Sequence, residues 1–295
     1  MKTLSLFSPA KLNLFLAVTG RRPDGYHDLV SVVAPVEFGD TLRIEAGAAG
    51  EFVLECDDAA VPTGEENLVL RAARLFAEKT GCGGGAKFFL EKRIPMGAGL
   101  GGGSSNAVAA LRGLNSLAGE PLAGVELAAV AARLGSDCAL FLPGGPVVMR
   151  GRGERVESLS AETAARLRGQ RVLIFKPGFS INTPWAYAQL AADSGKNYLP
   201  AVEAEARLAA WLGEAKTPLE ALLFNSLERP AFWKFPALPV LLDALGAEFG
   251  LATRLSGSGS ACFALLPAGA AVEAVKSRIR EAWGATAWVV ETQIS

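Results

Sequence analysis

Pro95-Met96-Gly97-Ala98-Gly99-Leu100-Gly101-Gly102-Gly103-Ser104-Ser105 stands between a strand-like run, 87–94, and a helix-like run, 107–117. Glycine has no Cβ to hold a ligand off the backbone, and it takes positive φ freely. The start of a helix presents unpaired N–H groups and a partial positive charge. Strand, glycine loop and helix start together make an anion site suited to phosphate. The Ser104 and Ser105 hydroxyls are further contacts for phosphate or a bound cation, and Ser104, Ser105 and Asn106 read as N-cap residues. A flexible linker is the competing reading. Linkers stand between domains, whereas this loop joins a strand to a helix.

Three common phosphate loops do not fit. A Walker A loop ends in Gly-Lys-Ser/Thr, and no lysine follows Gly103. Gly97, Gly99 and Gly102 match a dinucleotide fingerprint in form. The acidic residue that fingerprint needs falls on Glu120, in a loop between helices. The H-R-D and D-F-G signatures of protein kinases are absent from the sequence.

Composition removes other chemistries. The 295 residues carry 29 Lys+Arg against 30 Asp+Glu, with a pI near 6.0. A protein that coats nucleic acid needs excess cations for the phosphates. His27 is the single histidine, so no site can use two imidazoles, and a Ser-His-Asp triad would have to use this one. Cys56, Cys82, Cys138 and Cys262 form no C-x-x-C pair; they support neither a zinc knuckle nor a disulfide framework and fit a reducing, cytoplasmic compartment. No run approaches the ~18–20 apolar residues of a membrane span. Residues 1–18 begin like a signal peptide, but Pro9, Lys11 and Asn13 break the apolar run, and the segment reads as mature protein.

Upstream of the loop, Leu12, Leu14, Leu16 and Val18 alternate with Lys11, Asn13, Phe15 and Ala17. That is a strand period with its aliphatic set facing a core. Lys11 and Asn13 then project together and can converge on one ligand. Periodicity by itself favours a plain half-solvated strand. A breaker-rich turn, 20–25, leads to Tyr26, His27 and a strand over 29–38. Gly39-Asp40 reads as a hairpin turn into 41–45, and 52–56 as another strand. Helices are predicted over 67–79, stopped by Gly81, and over 125–134, closed by Gly135 with Asp137 just beyond. Residues 171–176 read as a strand, 184–190 as helix and 200–250 as mainly helical. The end reads strand (252–256), glycine loop (Gly257, Gly259), strand (261–266), helix (270–283) and strand (285–291), consistent with half of a ferredoxin-like sandwich. At this length one or two domains are expected, with a boundary between about 150 and 168.

With these segments in order, the sequence resembles the GHMP kinases, the family of galactokinase and of homoserine, mevalonate and phosphomevalonate kinases. Residues 95–107 are similar to the family's second motif, and Ser256-Gly257-Ser258-Gly259-Ser260-Ala261-Cys262 to its third. Ser8-Pro9-Ala10-Lys11-Leu12-Asn13-Leu14 and Asp24-Gly25-Tyr26-His27 are similar, more narrowly, to the branch that acts on a diphosphocytidyl methylerythritol. The resemblance implies an α+β, two-domain GHMP kinase fold. A ribosomal-protein-S5-like α/β domain with the glycine loop would occupy 1–158, and a ferredoxin-like sandwich domain 159–295.

The resemblance also implies ATP-dependent phosphorylation of the 2-hydroxyl of 4-(cytidine 5'-diphospho)-2-C-methyl-D-erythritol, in the non-mevalonate isoprenoid pathway. Asp137 and Lys11 match the catalytic pair. Asp137 would accept the hydroxyl proton, and Lys11 would keep it ionised and stabilise the transferring charge. Pro95 to Ser105 would hold ATP phosphates bridged by Mg²⁺, whose ligands are mostly phosphate oxygens and water, with Ser105 a candidate direct ligand. Asn13 would hydrogen-bond substrate; Tyr26, His27 and Tyr187 would take the cytosine, with the two tyrosine rings sandwiching it. Where the family has a proline two residues after the aspartate, this chain has Ala139, which puts the rigidity of that turn in question. The partners implied are a small-molecule substrate, no nucleic acid and no membrane, for a monomer or homodimer. Two other readings stay open: a family kinase of the mevalonate or homoserine type, and a nucleotide-binding regulator without catalysis.

Overall fold

A computed structural model of the chain describes residues 3–192 and 197–295. In chain order its elements are β1 (Thr3–Arg21), β2 (His27–Gly47), β3 (Phe52–Cys56), α1 (Leu68–Thr80), β4 (Gly85–Glu91), α2 (Gly102–Leu117), α3 (Gly124–Leu134), β5 (Val147–Gly151), β6 (Arg155–Ser158), α4 (Ala161–Leu167), β7 (Arg171–Lys176), α5 (Thr183–Ala192), α6 (Ala201–Gly213), β8 (Phe224–Asn225), α7 (Glu228–Lys234), α8 (Ala237–Phe249), β9 (Thr253–Leu255), β10 (Cys262–Leu265), α9 (Val272–Trp283) and β11 (Trp288–Gln293). They form two compact units that interleave in sequence. The first holds Met1–Ala10, Phe38–Met96 and Gly101–Gly144; the second holds Lys11–Glu37, Gly97–Leu100 and Gly145–Ser295.

In the first unit β4 runs parallel to β3 and antiparallel to the last residues of β2, from Thr41↔Glu91 to Gly47↔Gly85. Helices α1, α2 and α3 pack on one another. The signals for α1 act as expected. Asn67 Oδ1 accepts from Val69 N at 2.9 Å, and Gly81, at φ 69°, ends the helix in the left-handed region. Gly113 lets α2 lie close to the sheet, since a Cβ there would overlap the Ile44 side chain.

Two expectations are corrected here. Gly39-Asp40 is not a turn, because β2 is continuous from His27 to Gly47. Gly39 is needed for a close approach instead, as a Cβ would overlap the Ser8 carbonyl and crowd Pro9. Ser104, Ser105 and Asn106 are not caps either. Gly101 caps α2, at φ 72°, with no side-chain bond, and the three polar residues are the third to fifth of the helix.

In the second unit the first residues of β2 pair antiparallel with β5, from Leu29↔Gly151 to Val33↔Val147, and β5 pairs with β6. Phe15 and Leu16 of β1 pair parallel with β8. A separate sheet has the order β11-β7-β10-β9, every pair antiparallel. Helices separate β7 from β9 and β10 from β11, so this is the expected ferredoxin-like βαββαβ sandwich. Its core gathers Phe175, Leu238, Leu245, Leu255 and Ile279, each worth about 1.5–3 kcal/mol on burial. The alternation in β1 is real, but the strand is not half-solvated: Lys11, Asn13, Phe15 and Ala17 are buried along with the leucines. Strands β5, β6 and β8 and helix α4 are short elements that the sequence pattern did not predict.

Candidate active site

In the second unit, the polar face of β1 carries a built pair. Lys11 is 3% exposed, and its Nζ donates to Asn13 Oδ1. Asn13 Nδ2 donates to Ser31 Oγ at 3.0 Å, and Ser31 donates in turn to the Phe15 carbonyl at 2.6 Å. That relay turns the amide oxygen toward the lysine. A glycine loop lies over the pair, since a Cβ on Gly257 would stand 3.1 Å from Lys11 Nζ and 3.2 Å from Asn13 Oδ1. Asn225 Nδ2 holds this loop by donating to the Leu255 and Gly257 carbonyls, each at 2.8 Å. Asn225 escaped the sequence reading because β8 is two residues long and carries no periodic signal.

Gly97–Leu100, part of the Pro95–Ser105 loop, belongs to the same cluster. Lys11 N donates to the Leu100 carbonyl at 3.0 Å, Ala261 N to the Ala98 carbonyl at 3.1 Å, and Ser256 Oγ to the Gly99 carbonyl at 3.3 Å. Gly99 has φ 77°, and a Cβ there would overlap the Ser256 carbonyl. Glycine is required at 99 both for conformation and for close approach.

The aromatic residues expected to take the base, Tyr26, His27 and Tyr187, fall into two places. Tyr26 N donates to Asp24 Oδ1 at 3.1 Å, and Arg22 pairs with the same carboxylate at 3.1 Å. The Tyr26 ring is half exposed, with the Arg152 guanidinium 5.2 Å above it, a cation–π arrangement. The ring that meets Tyr187 is His27, at 5.1 Å, and Tyr198 joins at 5.9 Å from His27. Tyr198 was missed because a lone tyrosine in a polar stretch has no pattern. His27 Nε2 is buried without a hydrogen-bond partner among the described residues, an atom that a ligand group would satisfy. Burial, with the charge of Arg21 added, holds His27 below its ordinary value and favours the neutral ring.

The first unit carries the remaining predicted residues. Pro95 and Met96 enter the loop, and Gly101 to Ser105 leave it. With no side-chain cap at Gly101, the first N–H groups of α2 have no acceptor inside the helix. Ser105 is buried, its Oγ 2.9 Å from Ser8 Oγ. Burial pushes the Cys138 thiol up to about 11, against the opposing effect of the Ser104 hydroxyl, so it stays protonated.

Asp137 is half-buried in the turn after α3. Ala139 supplies no proline ring, but three bonds order this turn: Cys138 N to Gly135 O at 3.1 Å, and Phe141 N to Cys138 O and Leu142 N to Ala139 O at 3.2 Å each. Among the described residues no group of three His, Cys, Asp or Glu side chains can hold a metal ion, and no helix is long and apolar enough to cross a membrane.

The family profile "GHMP kinases N terminal domain" matches residues 67–147, and "GHMP kinases C terminal" matches residues 202–285. A Synechococcus sp. (strain CC9902) protein named 4-diphosphocytidyl-2-C-methyl-D-erythritol kinase is 40% identical over 271 residues, 89% of this chain and 87% of the relative. A Synechococcus elongatus protein of the same name is 36% identical over 293 residues, 96% and 92% of the two chains. The crystal structure of a 4-(cytidine 5'-diphospho)-2C-methyl-D-erythritol kinase superposes with a TM-score of 0.76 at 36% identity, covering 99% of this chain and 100% of that one. A homoserine kinase from Cytophaga hutchinsonii shares the fold, with a TM-score of 0.77 at 19% identity over 100% and 96% of the chains. Sequence identity along nearly the whole length, together with this fold, shows that the chain belongs to the 4-diphosphocytidyl-2-C-methyl-D-erythritol kinase family, a branch of the ATP-dependent GHMP kinases.

Proposed function

We propose that this protein transfers the γ-phosphoryl group of ATP to the 2-hydroxyl of 4-(cytidine 5'-diphospho)-2-C-methyl-D-erythritol, a step of non-mevalonate isoprenoid synthesis in the cytoplasm. The observation that carries the reading is the buried Lys11–Asn13 pair under Gly257 and beside Gly97–Leu100. A buried ammonium held by an amide oxygen and covered by glycine backbone suits a transferring phosphoryl group, which leaves little covalent chemistry to the protein. In the transfer the 2-hydroxyl oxygen bonds to the γ-phosphorus and the bond to the β–γ bridging oxygen breaks. Asp137 takes the hydroxyl proton, and ADP leaves. The N–H groups at the start of α2 and the glycine backbone bind the phosphates. Mg²⁺, when bound, would neutralise phosphate charge, with most of its ligands supplied by phosphate oxygens and water and Ser105 the candidate protein ligand. Tyr26, His27 and Tyr187, with Tyr198, receive the cytosine, and Asn13 orients the erythritol. The sequence division at 158/159, into two family domains, belongs to the same reading.

The test is ADP formation with diphosphocytidyl methylerythritol, mevalonate and homoserine as separate acceptors. Turnover on the first alone is expected. Turnover only on another acceptor moves the chain to a different branch, and tight ATP binding without transfer to any of them makes it a regulator.

A further inference from the structure

We propose that Asp40 and Ser8, which lie outside the glycine loop, are positioning residues for nucleotide phosphate, Asp40 holding the entry of the loop and Ser8 its exit. The inference rests on the phosphate-binding role given to the loop above.

Asp40 is fully buried in the middle of β2, a costly place for a carboxylate. Its partners among the described residues come from one short segment. It accepts from Arg93 N and from Ile94 N, each at 2.7 Å, and it pairs with Lys92 Nζ at 2.5 Å. Those three residues run straight into Pro95, the first residue of the loop. Two main-chain N–H groups bonded to one charged acceptor fix the peptide planes of the segment. A buried ion pair is a weak source of stability compared with apolar packing, but it constrains geometry well. Lys92 also reaches the far end of the loop, since a Cβ on Gly102 would stand 3.0 Å from its Nζ and 3.1 Å from Ile94 Cγ2.

Ser8 performs the matching task at the exit. Its hydroxyl is buried, 2.6 Å from Asn106 Oδ1 and 2.9 Å from Ser105 Oγ. Ser8 has one hydrogen and the amide oxygen can only accept, so Ser8 donates to Asn106 and Ser105 donates to Ser8. The start of α2 is thereby pinned through two consecutive side chains. The two anchors are coupled, because Gly39, the neighbour of Asp40, packs so closely on Ser8 and Pro9 that no side chain fits. Residues 94 and 105 are thus held at a set separation, and the glycines between them have less conformational freedom to lose when phosphate binds.

The test compares Ser8→Ala, Asp40→Asn and Asp40→Ala with wild type in steady-state kinetics, ADP binding and thermal unfolding. Ser8→Ala and Asp40→Ala should raise KM for ATP and weaken ADP binding about tenfold, the loss of roughly one hydrogen bond's worth of positioning. KM for the cytidine substrate should change less than twofold. Asp40→Asn keeps an acceptor for the two N–H groups and should fall between wild type and Asp40→Ala. Lower melting temperatures with unchanged KM for ATP and unchanged ADP affinity would mean a purely structural brace and would overturn the proposal. Should Asp40→Ala fail to fold, Ser8→Ala and Asp40→Asn decide the matter. If the wild type does not phosphorylate the cytidine substrate, the proposed function fails, while the ADP affinities still test the brace.

Discussion

Lys11 is a long, charged side chain with almost no exposure, held by Asn13 Oδ1 on a strand whose other face is leucine. The proposed function has this ammonium act on the transferring phosphoryl group. Asp137→Asn keeps the shape of the proposed base and removes its proton affinity. kcat should fall roughly 10²–10⁴-fold with ATP affinity preserved by direct binding; near-normal kcat would take Asp137 out of that role. Tyr26→Ala should raise KM for the cytidine substrate, by ~1–3 kcal/mol if the ring stacks on the base, and an unchanged KM would remove the stacking. His27 gives a pH signature. Its folded value is lowered, so the stability linked to the neutral ring is complete above the ordinary value of about 6.5 and is lost as pH falls below it. His27→Gln should flatten the fall in melting temperature from pH 7 to pH 5, and an unaltered slope would contradict this.

At the scale of elements, glycine, asparagine and serine carried different amounts of information. Asn67 and Gly81 announced α1 because caps act on their own backbone a few residues away. Gly39 gave a false turn signal, because its reason lies in Ser8, which is distant in sequence. Ser104, Ser105 and Asn106 looked like caps for the same reason: Gly101 does the capping, and Ser8 claims Ser105 and Asn106. The close approaches predict costs. Gly113→Val would push a side chain into Ile44 and Leu6 and should destabilise by about 1–3 kcal/mol in urea titration. A neutral result would mean that α2 can ride up off the sheet at little cost.

At the scale of the whole molecule, the chain has a formal net charge of -1, so recognition of a highly charged nucleotide rests on local groups and not on a global field. A non-hydrolysable ATP analogue with Mg²⁺ at 100 times its Kd should add about 2.7 kcal/mol to stability and raise the melting temperature by roughly 4 °C. Absence of any shift would count against nucleotide binding by the folded chain. The order β11-β7-β10-β9 was partly legible, because strand–strand–helix–strand at the end of the chain is local pattern. That β7 inserts between β11 and β10 was not, since nothing in a strand's own residues names its neighbours. By itself the sequence determined where the glycine loop starts, that Lys11 and Asn13 share one face of a strand, and which family the motifs resemble, because these follow from periodicity, backbone freedom and short spacings. Tertiary structure alone decided that this polar face is buried, that Asn225 and Gly257 close over it, that His27 packs on Tyr187 and Tyr198, and that Asp40 and Ser8 hold the ends of the loop. Each of those contacts joins residues far apart in the chain, and their pairing depends on which surfaces the folded core brings together and shields from water.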